Sequence, residues 1–285
     1  MSQTITSLSH PTFSSQLRAM GTIAAKDWKI YWRYPLNNLT MVFQPIIWLV
    51  PVFFMGQAFS VNGQARGFAE YSGSSDYMSF VLLGTVLYNF VMAVFWGIGY
   101  SLKEDMDMGV LESTWMAPLS RPLMMIARTL SNITITIITS VLMLLAAALL
   151  FGFHPTGNAL ATVLTLIPML AGLYGFGFAF ASLVLVLREA SILTDVSSFL
   201  VGILSGQNYP VTALPRWLVP LALVMPLTYG FDAARGFLLK TRTLLPIPAE
   251  IAILIIFMVV FIFLGLGVFR LLERSVRQKG TLGQH

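Results

Sequence analysis

The chain has 285 residues and a mass of 31.5 kDa; hydrophobic residues make up 56% of it and mean hydropathy is +0.78, while charged residues are only 10%. A soluble domain carries roughly a quarter charged residues, so a soluble globular enzyme is excluded, and the absence of cysteine excludes disulfide frameworks, thiolate nucleophiles, iron–sulfur clusters and cysteine-ligated zinc. The net charge of +5 in so apolar a chain marks membrane topology and not nucleic-acid binding.

Residues 1–13 read as a disordered tail. The first twenty residues are rich in Ser and Thr and have no apolar core, so no cleavable signal peptide is expected. Over 14–36, Leu17, Met20, Ala24, Trp28 and Tyr31 recur at three- and four-residue steps, while Arg18, Thr22, Lys26, Lys29 and Arg33 fall on the opposite face. That pattern predicts a basic amphipathic helix. Its rings, Trp28, Tyr31, Trp32 and Tyr34, favour the cytoplasmic membrane interface and anionic lipid over a soluble partner protein.

Crossing about 30 Å of hydrocarbon takes roughly 20 mostly apolar residues, and uncharged runs therefore serve as the ruler. They predict spans over 40–59, 79–102, 129–151, 159–187, 190–207 and 249–270. The uncharged stretch from Thr129 to Leu187 is too long for one crossing and folds back at Gly152, His154, Pro155, Gly157 and Asn158. Between the second and third spans, the 103–122 loop opens acidic with Glu104, Asp105 and Asp107. Val110, Leu111 and Trp115 then place one apolar patch on a short helix ending before Pro118. Such a patch either docks on a partner or folds back on its own bundle. Asp195, about a turn into the fifth span, is read as capping or pairing with Arg188 and not as a proton relay.

Residues 208–240 are apolar but contain Pro210, Pro215, Pro220 and Pro226. Prolines at that density rule out one straight helix, so 208–235 is expected to be two short re-entrant helices packed against the bundle. Residues 272–285 read as a basic cytoplasmic tail. Six spans put both termini on one side. That side collects twelve Lys and Arg residues against five on the other, which places both termini in the cytoplasm of a cell-membrane protein.

Other classes lose ground on the same residues. His10, His154 and His285 converge on nothing, so an intramembrane enzyme is not expected and no metal site is read. The spans hold few ionisable groups and no long internal repeat, which counts against an ion-coupled carrier. A channel would leave the apolar patch of the long cytoplasmic loop unexplained. No G-x-x-x-x-G-K-[ST] sequence is present to cradle a nucleotide phosphate.

Ser205-Gly206, Tyr209-Pro210, Ala213-Leu214-Pro215-Arg216-Trp217, Pro226-Leu227-Thr228-Tyr229, Asp232 and Arg235 resemble, in order and spacing, the signature of the type-2 ABC exporter permeases. Gly109, Leu111, Glu112, Pro118 and Arg121 resemble that family's other recurrent segment. The resemblance implies an all-α, six-span membrane subunit with an N-terminal interfacial helix, a cytoplasmic coupling helix and outer-leaflet re-entrant helices. It further implies a non-catalytic permease that dimerises, with itself or a paralogue, and sits on two separate ABC ATPase subunits that bind the ATP and Mg.

Coupling to the ATPase then falls to Gly109, Val110, Leu111, Glu112, Trp115 and Pro118. The signature and re-entrant residues are Gly206, Pro210, Leu214, Pro215, Trp217, Pro226, Tyr229, Asp232 and Arg235, the last two being either a structural ion pair or part of the exit. By the same resemblance the first, second and fifth spans line a cavity at the dimer axis. Asn89, Phe90 and Phe95 and then Phe199, Ile203 and Leu204 are its candidate lining. A cavity so poor in charge suits outward movement of an amphipathic cargo, a drug, natural product or lipid-like molecule, with polysaccharide or lipid-linked glycan as the rival.

Overall fold

The computed structural model describes residues 13–58, 66–100, 103, 107–109, 121–153, 155–187 and 190–279. The described residues form helices and turns only. In chain order the helices are α1 (Phe13–Arg33), α2 (Pro35–Ala58), α3 (Arg66–Ser72), α4 (Tyr77–Val94), α5 (Arg121–Phe151), α6 (Ala159–Leu187), α7 (Ala190–Leu204), α8 (Val219–Val224), α9 (Pro226–Leu239) and α10 (Ile247–Lys279). Five are long and apolar enough to cross a membrane: α2, α4, α5, α6 and α10. α7 is apolar but has only fifteen residues, about 22 Å of helix.

α4 is the central staff, with 67% of its apolar window buried inside the chain against 17% for α2 and for α10. It starts where the Asp76 carboxylate accepts a hydrogen bond from the Ser79 N–H at 3.0 Å, an N-cap that fixes the first turn. At its far end it widens into a π-helical turn, Phe95–Gly99. Phe95 is buried there, edge-on to Phe180 of α6 at 4.7 Å.

α6 and α10 lie along one another, and glycine makes that possible. A Cβ on Gly265 would overlap the Gly175 carbonyl oxygen, and one on Gly175 would come 2.7 Å from the Phe261 carbonyl carbon. Helices whose apolar surfaces are as comfortable in lipid as in protein associate through close backbone approach, which small residues permit.

Three backbone pairings gather the turns at one end of the bundle. Gly157 N–H donates to Leu238 O at 2.9 Å, Asn158 N–H to Phe237 O at 2.8 Å, and Arg242 N–H to Ser72 O at 2.8 Å. The α3–α4 turn, the α5–α6 turn and the end of α9 therefore meet at a common level.

Several boundaries move from their sequence expectations. α6 coincides with 159–187, but α2 starts five residues before its predicted span, directly after the α1 elbow at Tyr34, and carries Pro45 and Pro51 inside it. α5 starts at Arg121, ahead of the predicted 129, because the uncharged run measures hydrocarbon and not helix. α10 continues to Lys279 into the stretch read as a tail. The proline-rich 208–235 segment forms a 3-10 turn at Val211–Ala213 and the short helices α8 and α9, both with proline in the first turn, where its missing N–H is harmless. α3 had no counterpart in the sequence reading.

Candidate functional site

The signature residues, spread over thirty positions, converge on one buried side chain. Arg235, 2% exposed, projects from α9 into the joint between α4 and the end of α7. Its Nη1 donates to Gly206 O at 2.8 Å, Nη2 to Gln207 O at 2.5 Å and Nε to Phe80 O at 3.3 Å. The guanidinium carbon also lies 3.5 Å from the centre of the Phe80 ring. A planar fork suits this task, since one side chain satisfies carbonyls of two elements at once. Gly206 adopts φ +69, the left-handed backbone that ends α7 and turns its carbonyl toward the arginine. Gly84 of α4 completes the joint, because any Cβ there would overlap both the Gln207 carbonyl oxygen and the Arg235 guanidinium.

The neighbouring signature residues tie the same knot. Thr228 Oγ1 donates to Ala222 O at 2.7 Å and Tyr229 OH to Leu223 O at 2.8 Å, which fold α8 back on α9. Tyr209 OH reaches Ile203 O at 2.9 Å. We expect Tyr229→Phe to lower stability by about 1 kcal/mol, read as a small downward shift of the detergent-solubilised melting curve, with no loss of expression.

Asp232 does not pair directly with Arg235. Its Oδ2 accepts the Leu244 N–H, while Glu250 Oε1 accepts the adjacent Leu245 N–H at 3.1 Å. Two carboxyl groups from α9 and α10 thus hold consecutive amides of the turn between them. Burial pushes the Asp232 carboxyl above its ordinary range, with the Leu244 N–H and the Arg235 charge among the influences opposing it. Pro226 opens α9, Pro210 and Leu214 are half-buried, and Pro215 and Trp217 face outward, Trp217 72% exposed.

Among the proposed cargo-path residues, Phe90 and Phe95 are buried in the chain's own core, Ile203 and Leu204 are half-buried, and Phe199 is exposed with Ile192, Val196 and Leu200 on α7. Asn89 is half-buried and donates its amide NH2 to Ser140 Oγ at 2.9 Å and to Thr139 Oγ1 at 3.4 Å of α5. In the loop between α4 and α5, Gly109 has φ +65, and Lys103 pairs with Asp107 at 2.5 Å. Val110, Leu111, Glu112, Trp115 and Pro118 lie outside the described residues. No three His, Asp or Glu side chains among the described residues are grouped to hold a metal ion.

Sequence reasoning did not find Phe80, Gly84 and Glu250. The available signals were slight: a glycine in an apolar run, and an acid in the first turn of the last span.

A family model described as ABC-2 type transporter matches residues 18–239. No curated protein matches the sequence at a significant level.

Proposed function

The chain belongs to the ABC-2 type transporter family and is a transmembrane permease of an ABC transporter, and from that premise we propose that it exports an amphipathic substrate by alternating access, driven by a separate ATPase subunit. The observation that carries the family's architecture onto this chain is the Arg235 knot, in which the signature residues fold into a single hydrogen-bonded joint.

That joint also supports a sixth crossing. α6 runs away from the end where the α5–α6 turn meets α9, and α7 begins where α6 finishes. The turn that follows α7, Gly206 and Gln207, is held by Arg235 at the level of Phe80, one turn inside the start of α4. α7 therefore traverses most of the bundle despite its length. With six crossings the Lys and Arg excess puts both termini in the cytoplasm, and α8 and α9 become the re-entrant pair on the outer side.

Energy enters through the loop containing Val110 to Pro118, whose apolar residues would seat in a groove on the ATPase. Closure of two ATPases on ATP would move two such loops, one per permease. The exposed apolar faces of α2 (Ile47, Trp48, Phe54) and α7 are the surfaces available to a second permease and to lipid.

Co-purification from native membranes tests the reading: a stoichiometric ATP-binding cassette subunit is expected, with turnover responding to amphipathic compounds. Combining Leu111→Asp with Trp115→Asp is expected to reduce the retained ATPase about tenfold or more, two buried apolar contacts being worth over 1.4 kcal/mol. Unchanged retention would remove the coupling role from this loop.

A further inference from the structure

A groove of about 560 Å³ lies between α1, α2, α4 and α5, on the side of α4 that faces α5. Tyr88, one residue before Asn89, turns the other way and donates to Ser198 O of α7 at 2.8 Å, so the groove is separate from the α4–α7 face. It sits beside the α1–α2 elbow, the level that the proposed topology gives to the cytoplasmic membrane surface.

Five amide side chains line it, Asn37, Asn38, Gln44, Asn89 and Asn132. Part of their hydrogen-bonding capacity is used internally. Asn132 Oδ1 accepts from Tyr174 OH at 2.9 Å, Asn89 donates to α5, and Asn38 donates to the Tyr31 carbonyl. The remainder is open among the described residues: the Asn89 carbonyl, the Asn132 amino group, and both ends of Asn37 and Gln44. An amide group shielded from water without a partner is unfavourable, so the half-buried Asn89 and Asn132 point to something that pairs with them, and the exposed Asn37 and Gln44 flank them at the groove.

The rest of the lining fits the same occupant. Trp96 and Tyr34 add aromatic surface. Trp96 and Gly97 belong to the π turn of α4, and a Cβ on Gly97 would overlap the Asn132 amide nitrogen, so the widened turn and the glycine together make room for that amide. π turns of this kind recur at functional sites. Asp27 is the one charged residue among the described lining, and it stands 3.7 Å from the Lys26 ammonium.

We propose that this groove is a loading site for neutral amphiphiles whose head carries several hydroxyl or amide groups, entered from the cytoplasmic leaflet. The inference rests on the permease reading and gives it a substrate class. Amides offer donors and acceptors together, which match hydroxyls and amides; a fixed ionic head finds no opposite charge among the described lining except at the Asp27 mouth.

The test uses the complex with its co-purified ATPase in lipid nanodiscs and a diazirine-bearing alkyl glucoside, beside alkyl sulfate and alkyl trimethylammonium probes of equal chain length. The glucoside is expected to label peptides containing 37–44, 89–97 and 132–139, several-fold above either ionic probe. Gln44→Leu is the variant of choice because the Gln44 side chain makes no hydrogen bond among the described residues and is exposed, so folding does not depend on it. It should reduce labelling about fivefold, the loss of one hydrogen bond; Asn37→Leu repeats the measurement at the elbow. Equal labelling by the ionic probes, or glucoside labelling confined to α7, overturns the groove while a ligand-responsive ATPase leaves the permease reading intact. A preparation without any ATPase overturns the permease reading instead, whatever the probe labels.

Discussion

Arg235→Met should destabilise the protein by about 4 kcal/mol, roughly a 10 °C fall in melting temperature for a chain of this size. The substitution keeps the length and apolar stem of the side chain but removes every donor. The carbonyls of Gly206, which is buried, and Gln207, which is half-buried, lose their donors together, and the Phe80 carbonyl, already paired within α4, loses its second one. Each stranded acceptor carries a penalty of about 1–3 kcal/mol, partly relieved as the joint loosens. Arg235→Lys should recover less than half, because a single ammonium cannot fork between two elements or lie flat on Phe80. Gly84→Ala attacks the same joint from α4 and should act in the same direction, since its new methyl group would displace the arginine. Scanning fluorimetry of solubilised variants decides the matter. A melting point for Arg235→Met within about 2 °C of the parent protein would show that the arginine is not what holds α7 to α4.

Gly175→Leu should be comparably damaging, by about 3 kcal/mol or more, through a different cause. Here no hydrogen bond is lost; the α6 and α10 backbones are simply forced apart, because the added side chain meets the main chain at Phe261 and Ile262 and not a side chain that could rotate away. Gly267→Leu supplies the matched control. A Cβ at Gly267 has nothing within 4 Å, so the same change two residues beyond Gly265 should leave stability within about 0.5 kcal/mol. If both variants melt alike, close α6–α10 packing is not a determinant of stability.

The two cases mark where sequence reading succeeds and stops. The apolar run 159–187 and the proline-broken segment were legible because each follows from a local rule, hydrocarbon thickness in one and the geometry of proline in the other. α5 outran its predicted start because Arg128 bounds the uncharged run without ending the helix. The six-span count depends on α7, whose fifteen residues fall below a length rule and whose direction is seen only through its contact with Arg235. Gly84 carries meaning only when paired with an arginine 151 positions later, and no local period connects them. Asn89 was named as candidate cavity lining on the family resemblance alone, and Asn132 was not named at all, because nothing local to the third span sets it apart from the Ser and Thr residues around it. Their shared groove depends on a π turn with no sequence signature. The signature resemblance located the 205–235 knot without revealing that its aspartate and arginine serve separate turns.

Arg235 bonds to Phe80 across 155 positions of chain, which sets an order of assembly as well as a contact. During synthesis α4 and α7 are complete before α9 exists, so the Phe80 carbonyl waits for the arginine while about half of the protein is made, and the Gly206 and Gln207 carbonyls wait for 29 and 28 positions. The joint can close only after the proline-rich segment has emerged and turned back. A chain interrupted before residue 235 is therefore left open at the α4–α7 end, and its quality control in the cell would be read from that end, with truncations just short of Arg235 degraded much faster than those just beyond the α9–α10 turn.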